Sequence, residues 1–355
     1  MKVKIFTCNS FQKIHPRIVM QVGILSSNGY DVEVVKSAKE RETGFQGMLN
    51  MRSLKYFRWA AIKEFKLQLD NCDIVHIYDF QLLPLAIYAK KRGKKVVYET
   101  LDDNVHLHFY ALKNRIPLLG LFQKQVINFF SKKEKNISRN YCDSVIVNSA
   151  NLLKNFNNKS TNLIYYASNL KASNHLFDEN KEVRFLYVGK LTKDKGAAVY
   201  EELIRHFKVK LIFYGHFGDN YSKHLLQENN LLEERGNLDV EELDSMLKKD
   251  IETYNIVGLS VVFPVNESYK FQEANKDIDY ITMSIPFVGN DRPPTLDKIK
   301  KGAGVLNTKI EDVTNLLENK NNSYNTIVNN SYSIIKEYSL DTFRHKLLAV
   351  YKGLS

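Results

Sequence analysis

The chain has 355 residues, 44% of them hydrophobic and 26% charged, a make-up that excludes a disordered or fibrous protein and a length that fits two domains rather than one core. The net charge of +11 lies in one half: residues 1–170 carry 26 Lys and Arg against 13 Asp and Glu, or +13, and the remainder 25 against 27, or −2. No run of 18 apolar residues occurs, which excludes a membrane-spanning helix, and three scattered cysteines (Cys8, Cys72, Cys142) argue against a disulfide framework and a zinc site.

In chain order, Val3 to Thr7 reads as a buried strand and residues 17–28 as a helix with Ile18, Val22 and Leu25 inward, stopped by Asn28-Gly29. Asp31 to Val35 is the next strand. DIVHI (73–77), a helix over 81–91, KVVYE (95–99), a long helical region from about 118 to 140, SVIVNS (144–149) and LIYYA (163–167) follow. Strands apolar on both faces and separated by helices imply a parallel sheet covered on both sides. The polar segment 168–182 reads as an interdomain linker.

The second half repeats the pattern. VKLIFYG (209–215), helices near 219–229 and 240–249, strands around 255–263, a helix over 275–283, IPFVG (285–289), a helix over 294–301 and AGVL (303–306) come in turn. Helices near 310–319 and 323–337 precede a last one with Ser339 as N-cap. The expected architecture is two doubly wound α/β domains with a cleft between the carboxyl ends of their strands, where such sheets bind ligands. Its expected parts are residues 1–167, the linker 168–182, residues 183–337, and a C-terminal helix, 338–355, packing back on the first domain.

The stretch RFLYVGKLTKDKG (184–196) is a strand, a glycine turn and the start of a helix. Free backbone N–H groups and the positive end of the helix dipole meet there, an anion site before any side chain is counted. Gly189 and Gly196 frame the turn, and Lys190 and Lys195 flank it, so a diphosphate would meet two ammonium groups as well. An ordinary turn with two solvated lysines is the competing reading.

These residues resemble the retaining glycosyltransferases of the GT-B fold, two Rossmann-like domains facing across a cleft, and most closely the family-four group that uses nucleotide-sugar donors. HPRIVMQVGILSSNGYDVEVV (15–35), DIVHIYD (73–79), KVVYETLDD (95–103) and YCDSVIVNS (141–149) look like that group's opening strands and helix. VGKLTKDKG resembles its VGRLxxxKG signature, and the resemblance gives Lys190 and Lys195 the donor diphosphate. Lys190 stands where arginine is usual, keeping charge without the bidentate fork. FYGHFGDN (213–220) is similar to the family's Gly-x-Gly turn near the nucleotide, with Gly215 and Gly218 one residue further apart.

NESYKFQEANKDIDYITMSIPFVGND (266–291) resembles the branch that reads NK-x-x-EY-x-x-x-G-x-PV, on which Asn275, Lys276, Asp279, Tyr280 and Pro286 fall. The resemblance implies that Lys276 and Asp279 serve the nucleoside, with Asp279 accepting from the ribose hydroxyls in place of a glutamate. Ser284 replaces the pattern's glycine, which implies a shifted helix or an altered site. Glu267, counted from Pro264, matches the acid that touches the donor sugar, although its spacing to Asp279 is irregular. Glu273 fits no better, and a solvated loop acid is the ordinary reading of either.

Retaining transfer needs stabilisation of charge growing on the leaving diphosphate, which Lys190, Lys195 and the helix start at Gly196 can supply, so no metal or other cofactor is expected. On the acceptor side Asp102 and Asp103 end a strand where relatives carry a histidine or His-Asp pair, and one of them is a candidate to orient or deprotonate the acceptor. A simple turn is the equal alternative. Arg17 and His106 are further acceptor-side candidates, His15 shares the first loop with Arg17, and His76 reads as a satisfied strand residue.

The charge clusters in KKRGKK (90–95) and KKEK (132–135), and the segment 117–135 sets Leu118, Leu121, Phe122, Val126, Phe129 and Phe130 near one face. An anionic membrane surface or a lipid-linked acceptor suits such a face, against solvated helix ends and a core-facing helix as the plain readings. No nucleic-acid module is present. The expectation is a cytoplasmic enzyme, peripheral on the plasma membrane, that moves a sugar from a nucleotide-diphosphate donor to a glycan or lipid-linked acceptor in surface polysaccharide or glycolipid assembly. A nucleotide-sugar epimerase and a non-catalytic binding subunit are the alternatives.

Overall fold

The structure, a computed structural model, describes residues 1–7, 15–36, 59–101, 103–109, 120–156, 160–173, 175–228, 230–262, 270 and 272–354. Two compact units emerge: Met1–Tyr165 with Arg344–Ser355, and Tyr166–Phe343.

The first unit carries a six-stranded, wholly parallel sheet. Its strands are β1 (Lys2–Thr7), β2 (Asp31–Lys36), β3 (Ile74–Ile77), β4 (Lys95–Thr100), β5 (Ser144–Val147) and β6 (Thr161–Leu163), in the order β2-β1-β3-β4-β5-β6. The helices of this unit are α1 (Pro16–Ser26), α2 (Trp59–Lys66), α3 (Leu85–Lys91), α4 (Asn104–Phe109), α5 (Gln123–Tyr141) and α6 (Ala150–Asn155). Pro16 opens α1, where its missing N–H costs nothing, and Gly29 at φ 84° turns the chain back into β2. Val75, Ile77, Val96 and Tyr98 are wholly buried, as expected of strands covered on both faces.

The second unit has another parallel six-stranded sheet, ordered β12-β11-β10-β7-β8-β9. Its strands are β7 (Val183–Leu191), β8 (Leu211–Phe217), β9 (Leu232–Gly236), β10 (Asn255–Ser260), β11 (Phe287–Gly289) and β12 (Gly304–Leu306). Helices α7 (Ala197–Phe207), α8 (Asn220–Gln227), α9 (Val240–Thr253), α10 (Asn275–Thr282) and α11 (Pro293–Lys300) connect them, and α12 (Ile310–Leu317) and α13 (Ser323–Ile334) follow β12. A last helix, α14 (Leu340–Lys352), opens with Ser339 Oγ accepting from Thr342 N at 3.2 Å. Counted from β7, the strand order is 6-5-4-1-2-3, the doubly wound arrangement of dinucleotide-binding sheets.

Several elements differ from the sequence reading, helices α4 and α6 among them, neither of which was expected. The strand expected at 163–167 lies at Thr161–Leu163, and residues 164–167 leave the sheet. Helix α2 was not expected, although Ala61, Ile62, Phe65 and Leu69 sit at helical spacing and all are buried. Strand β9 (LEERG) was also missed, because an edge strand with charged residues has no apolar run to betray it. Among the described residues no helix is long and apolar enough to cross a membrane.

Candidate functional site

β7 and β10 are the neighbours at which the second sheet's winding reverses, and the carboxyl ends of such a pair open a ligand crevice. Glycines shape it. Gly189, near the end of β7, and Gly215, opposite it on β8, have φ of 116° and 142°, and a Cβ on Gly215 would stand 2.1 Å from the Gly189 carbonyl oxygen. Gly196, at φ 87°, caps α7, and a Cβ there would lie 2.6 Å from the carbonyl oxygen of Val261, just past β10. The turn 192–196 is thereby pressed against the end of β10, with the free amides of the α7 first turn at the crevice. That first turn holds no acidic side chain.

Lys190 is exposed, and its stem crosses Gly218, where a Cβ would be 2.2 Å from Lys190 Cε. The Asp219 carboxylate accepts from Lys193 N at 2.8 Å and Ser222 N at 2.7 Å, which staples the turn to the start of α8. Gly189, Lys190, Lys195, Gly196 and Gly215 thus stand on one end of the sheet.

Helix α10 completes this end. The Tyr280 hydroxyl donates to Leu186 O at 3.0 Å, and Gly258 leaves room for its ring, because a Cβ there would lie 2.6 Å from two ring carbons. Asp277, wholly buried, accepts from Ser260 Oγ and from Thr295 Oγ1 at 2.8 Å, with Arg292 beside it. So anchored, α10 sets Lys276 Nζ 3.8 Å from the centre of the Tyr187 ring. Burial, then the nearby charge of Lys195, holds the Lys276 ammonium well below the usual lysine pKa, with Arg292 adding to this and Asp277 opposing it.

Asp279, on the same helix, accepts from Ser168 Oγ at 2.6 Å. Burial, with the charge of Asp277, pushes its carboxyl up to about 6 against the lowering effect of Ser168. At the other end of α10, Ser284 takes φ 58°, the left-handed conformation of a helix-ending glycine. Ser284 N donates to Ile281 O at 3.0 Å and Ile285 N to Tyr280 O at 2.8 Å, the paired bonds of a Schellman ending. The serine adopts the backbone the pattern's glycine would.

Several expectations need correction or lie elsewhere. Asp102 and Glu267 are outside the described residues. Glu273, read as a solvated loop acid, is buried in an ion pair with Lys298, each side chain 2% exposed, and burial raises its pKa. Asp103 caps α4 by accepting from His106 N at 3.2 Å, and its carboxylate stands 2.8 Å from His106 Nδ1. Arg17, expected on a loop at the acceptor, is instead 1% exposed: its guanidinium binds Glu99 at 2.5 Å and the carbonyls of Tyr165 and Ile164 at 3.1 and 2.9 Å. His76 is fully buried, 3.0 Å from Glu99 and 2.8 Å from the Tyr351 hydroxyl. Among the described residues no group of three His, Cys, Asp or Glu side chains is placed to hold a metal ion.

No protein-family model matches the chain, and no curated protein matches it in sequence. Solved structures do match. The structure of Anabaena HepE in complex with UDP-glucose gives a TM-score of 0.68 at 12% identity, over 99% of this chain and 100% of that one. The apo lipopolysaccharide outer core galactosyltransferase WaaB gives 0.65 at 13% identity, over 99% of each chain. Trehalose-6-phosphate synthase OtsA gives 0.61 at 12% identity, over 100% and 99%. The fold is GT-B.

Within this GT-B chain, three contributors to the site escaped the sequence reading. Ser168 is 111 residues from the carboxylate it bonds, so nothing local announces it. Tyr187 reads as one more apolar strand position, and its ring is indeed buried, yet it also floors the site beneath Lys276. Asp277 was passed over between two pattern residues; an acid in an otherwise apolar helix face was the available signal.

Proposed function

We propose that the chain is a glycosyltransferase that binds a nucleotide-diphosphate sugar on its second unit and transfers the sugar, with retention, to a glycan or lipid-linked acceptor taken by the first. The observation that carries this reading is the convergence of the Gly189 to Gly196 turn, the α7 N-terminus and Lys195 at the switch point of a dinucleotide-type sheet. The GT-B fold, shared with HepE in its UDP-glucose complex, supports it. Asp279 offers a carboxylate to the ribose hydroxyls, with Ser168 already occupying one lobe.

As the donor's glycosidic bond breaks, negative charge grows on the leaving diphosphate. Lys190, Lys195 and the α7 amides face that charge, and in this reading they stabilise it without a metal ion. Asp103 and His106, paired at 2.8 Å, are the acceptor-side residues of the reading.

A cytoplasmic, membrane-peripheral setting and a role in surface polysaccharide or glycolipid assembly belong to the same proposal. Leu121, Phe122 and Phe129 are 76%, 57% and 61% exposed at the start of and along α5, among Lys124, Lys132 and Lys133. Aromatic and lysine side chains so mixed suit the headgroup layer of an anionic bilayer. Flotation with anionic and neutral vesicles tests this, and equal absence from both would remove the membrane. For the transferase itself, incubation with UDP-, GDP- and ADP-sugars and lipid-extract acceptors should give a labelled product from one donor class. Turnover of donor alone to an isomer would instead indicate an epimerase.

A further inference from the structure

We infer that Lys276 is a second cation of the diphosphate subsite, paired with Lys195 rather than serving the ribose, and that a nucleoside diphosphate binds there with uptake of a proton. This rests on the nucleotide-sugar reading above and names how its site is charged.

Lys276 is the second residue of α10, and Lys195 directly precedes the residue that caps α7. Two helix N-termini, each carrying roughly half a positive charge, therefore come with a lysine apiece, although cations are disfavoured at that end of a helix. The arrangement calls for an anion. The acid of the α10 first turn, Asp277, does not serve: it is turned into the core, where Ser260, Thr295 and Arg292 hold it.

The Lys276 amino group is held in place, not waving in solvent. Its contact with the Tyr187 ring fixes it beneath the carboxyl end of β7, and Tyr187 is itself pinned by its hydroxyl bond to Lys190 O at 3.0 Å. Lys276 thus lies close to the backbone of Lys190, and near enough to Lys195 for its charge to act on it. Asp279 lies one turn further along α10 and accepts from Ser168, so the acid suited to ribose and the amine suited to phosphate occupy different positions on the helix.

The charged and titratable groups around Lys276 are Lys195 from the turn before α7, Arg292 from the start of α11, Asp277 and Asp279 from α10 itself, and the Tyr187 phenol from β7. Lys195 and Arg292 oppose its protonation together with burial, and Asp277 favours it. Two phosphate groups placed between Lys195 and Lys276 reverse the balance, because an adjacent anion favours the charged amine. Binding then draws a proton onto Nζ of Lys276.

Calorimetric titration at pH 8 with UDP, GDP, ADP and CDP, repeated in buffers of different ionisation enthalpy, counts the protons exchanged. Wild type should take up a proton fraction with whichever nucleotide binds. Lys276→Met should lose that uptake and at least tenfold in diphosphate affinity, with less than threefold loss for the corresponding nucleoside. Lys276→Arg, charged throughout, should bind the diphosphate without proton uptake. Retained affinity and uptake in Lys276→Met, or an equal loss for nucleoside and diphosphate, would overturn the assignment while leaving the nucleotide reading standing. Failure of all four nucleotides to bind wild type would overturn both. Lys276→Met should unfold at or above the wild-type temperature, which separates loss of the site from loss of the fold.

Discussion

Arg17 and Glu99 form an ion pair 2.5 Å long in the interior of the first unit, with neither side chain more than 2% exposed. Gln21 donates to the other Glu99 oxygen at 2.6 Å, and His76 stands 3.0 Å from it. Burial alone would raise the Glu99 pKa, but Arg17, His76 and Gln21 outweigh it and hold the carboxyl at about 2. Glu99→Gln leaves the Arg17 guanidinium buried and uncompensated, so it should destabilise the protein by about 3–5 kcal/mol in denaturant titration. With the folded pKa depressed, the stabilisation is complete above about pH 4.5 and is lost as pH falls toward 2. Wild type should therefore lose stability across that window more steeply than the variant does. Parallel profiles would contradict the pairing.

Ser284→Gly should stabilise. The serine holds a left-handed backbone at φ 58°, and its buried hydroxyl has no hydrogen-bond partner. Glycine removes both costs, for a gain of about 1 kcal/mol, read as a shift of the denaturant midpoint at constant slope. A loss of stability would mean that the hydroxyl has a role in the site.

Gly215→Ala should destabilise by about 2–4 kcal/mol, because the added carbon meets the Gly189 carbonyl oxygen at 2.1 Å and φ is 142°. Since that oxygen belongs to the turn framing the proposed diphosphate site, nucleotide affinity should fall in the same variant. Gly93→Ala, where a Cβ would meet nothing within 4 Å but φ is 70°, provides the comparison: strain without collision, and no effect on nucleotide.

Asp279 should make nucleotide binding depend on pH. Its folded pKa is raised to about 6, so the carboxylate needed to accept from ribose hydroxyls is progressively protonated below that value. Affinity for the nucleoside should fall as pH drops from 7 to 5. Asp279→Asn should bind more weakly at pH 7 and show a flatter profile. The same raised pKa acts on the fold in the opposite sense, favouring it below about pH 4 and losing that contribution as pH rises through 6.

Much of this was legible in the sequence because parallel sheets write themselves plainly: DIVHI, KVVYE and SVIVNS are apolar on both faces and lie where β3, β4 and β5 form. The Gly189 to Gly196 turn was legible for a similar reason, since its glycines occupy φ values other residues resist. Burial of charge was not legible. Arg17 sits in a loop-like HPR context and Glu273 in a polar run, yet each is inside, because its partner (Glu99, Lys298) is 82 or 25 residues away. Local pattern reports which side chains prefer water; it does not report a distant counter-charge. The nearness of Lys276 to Lys195 escaped as well, because the two lie 81 residues apart in the chain.

The most direct test of the account is titration of wild type and of Lys190→Ala and Lys195→Ala with nucleoside diphosphates. The account predicts binding of at least one of them by wild type and a loss of about 1.5–3 kcal/mol in each variant, the worth of a charge-assisted hydrogen bond. Thermal unfolding should rise with the same nucleotide in parallel, since a ligand at 100 times its dissociation constant adds about 2.7 kcal/mol to the native state. Unchanged affinity in both variants, or no nucleotide binding by wild type, would contradict it.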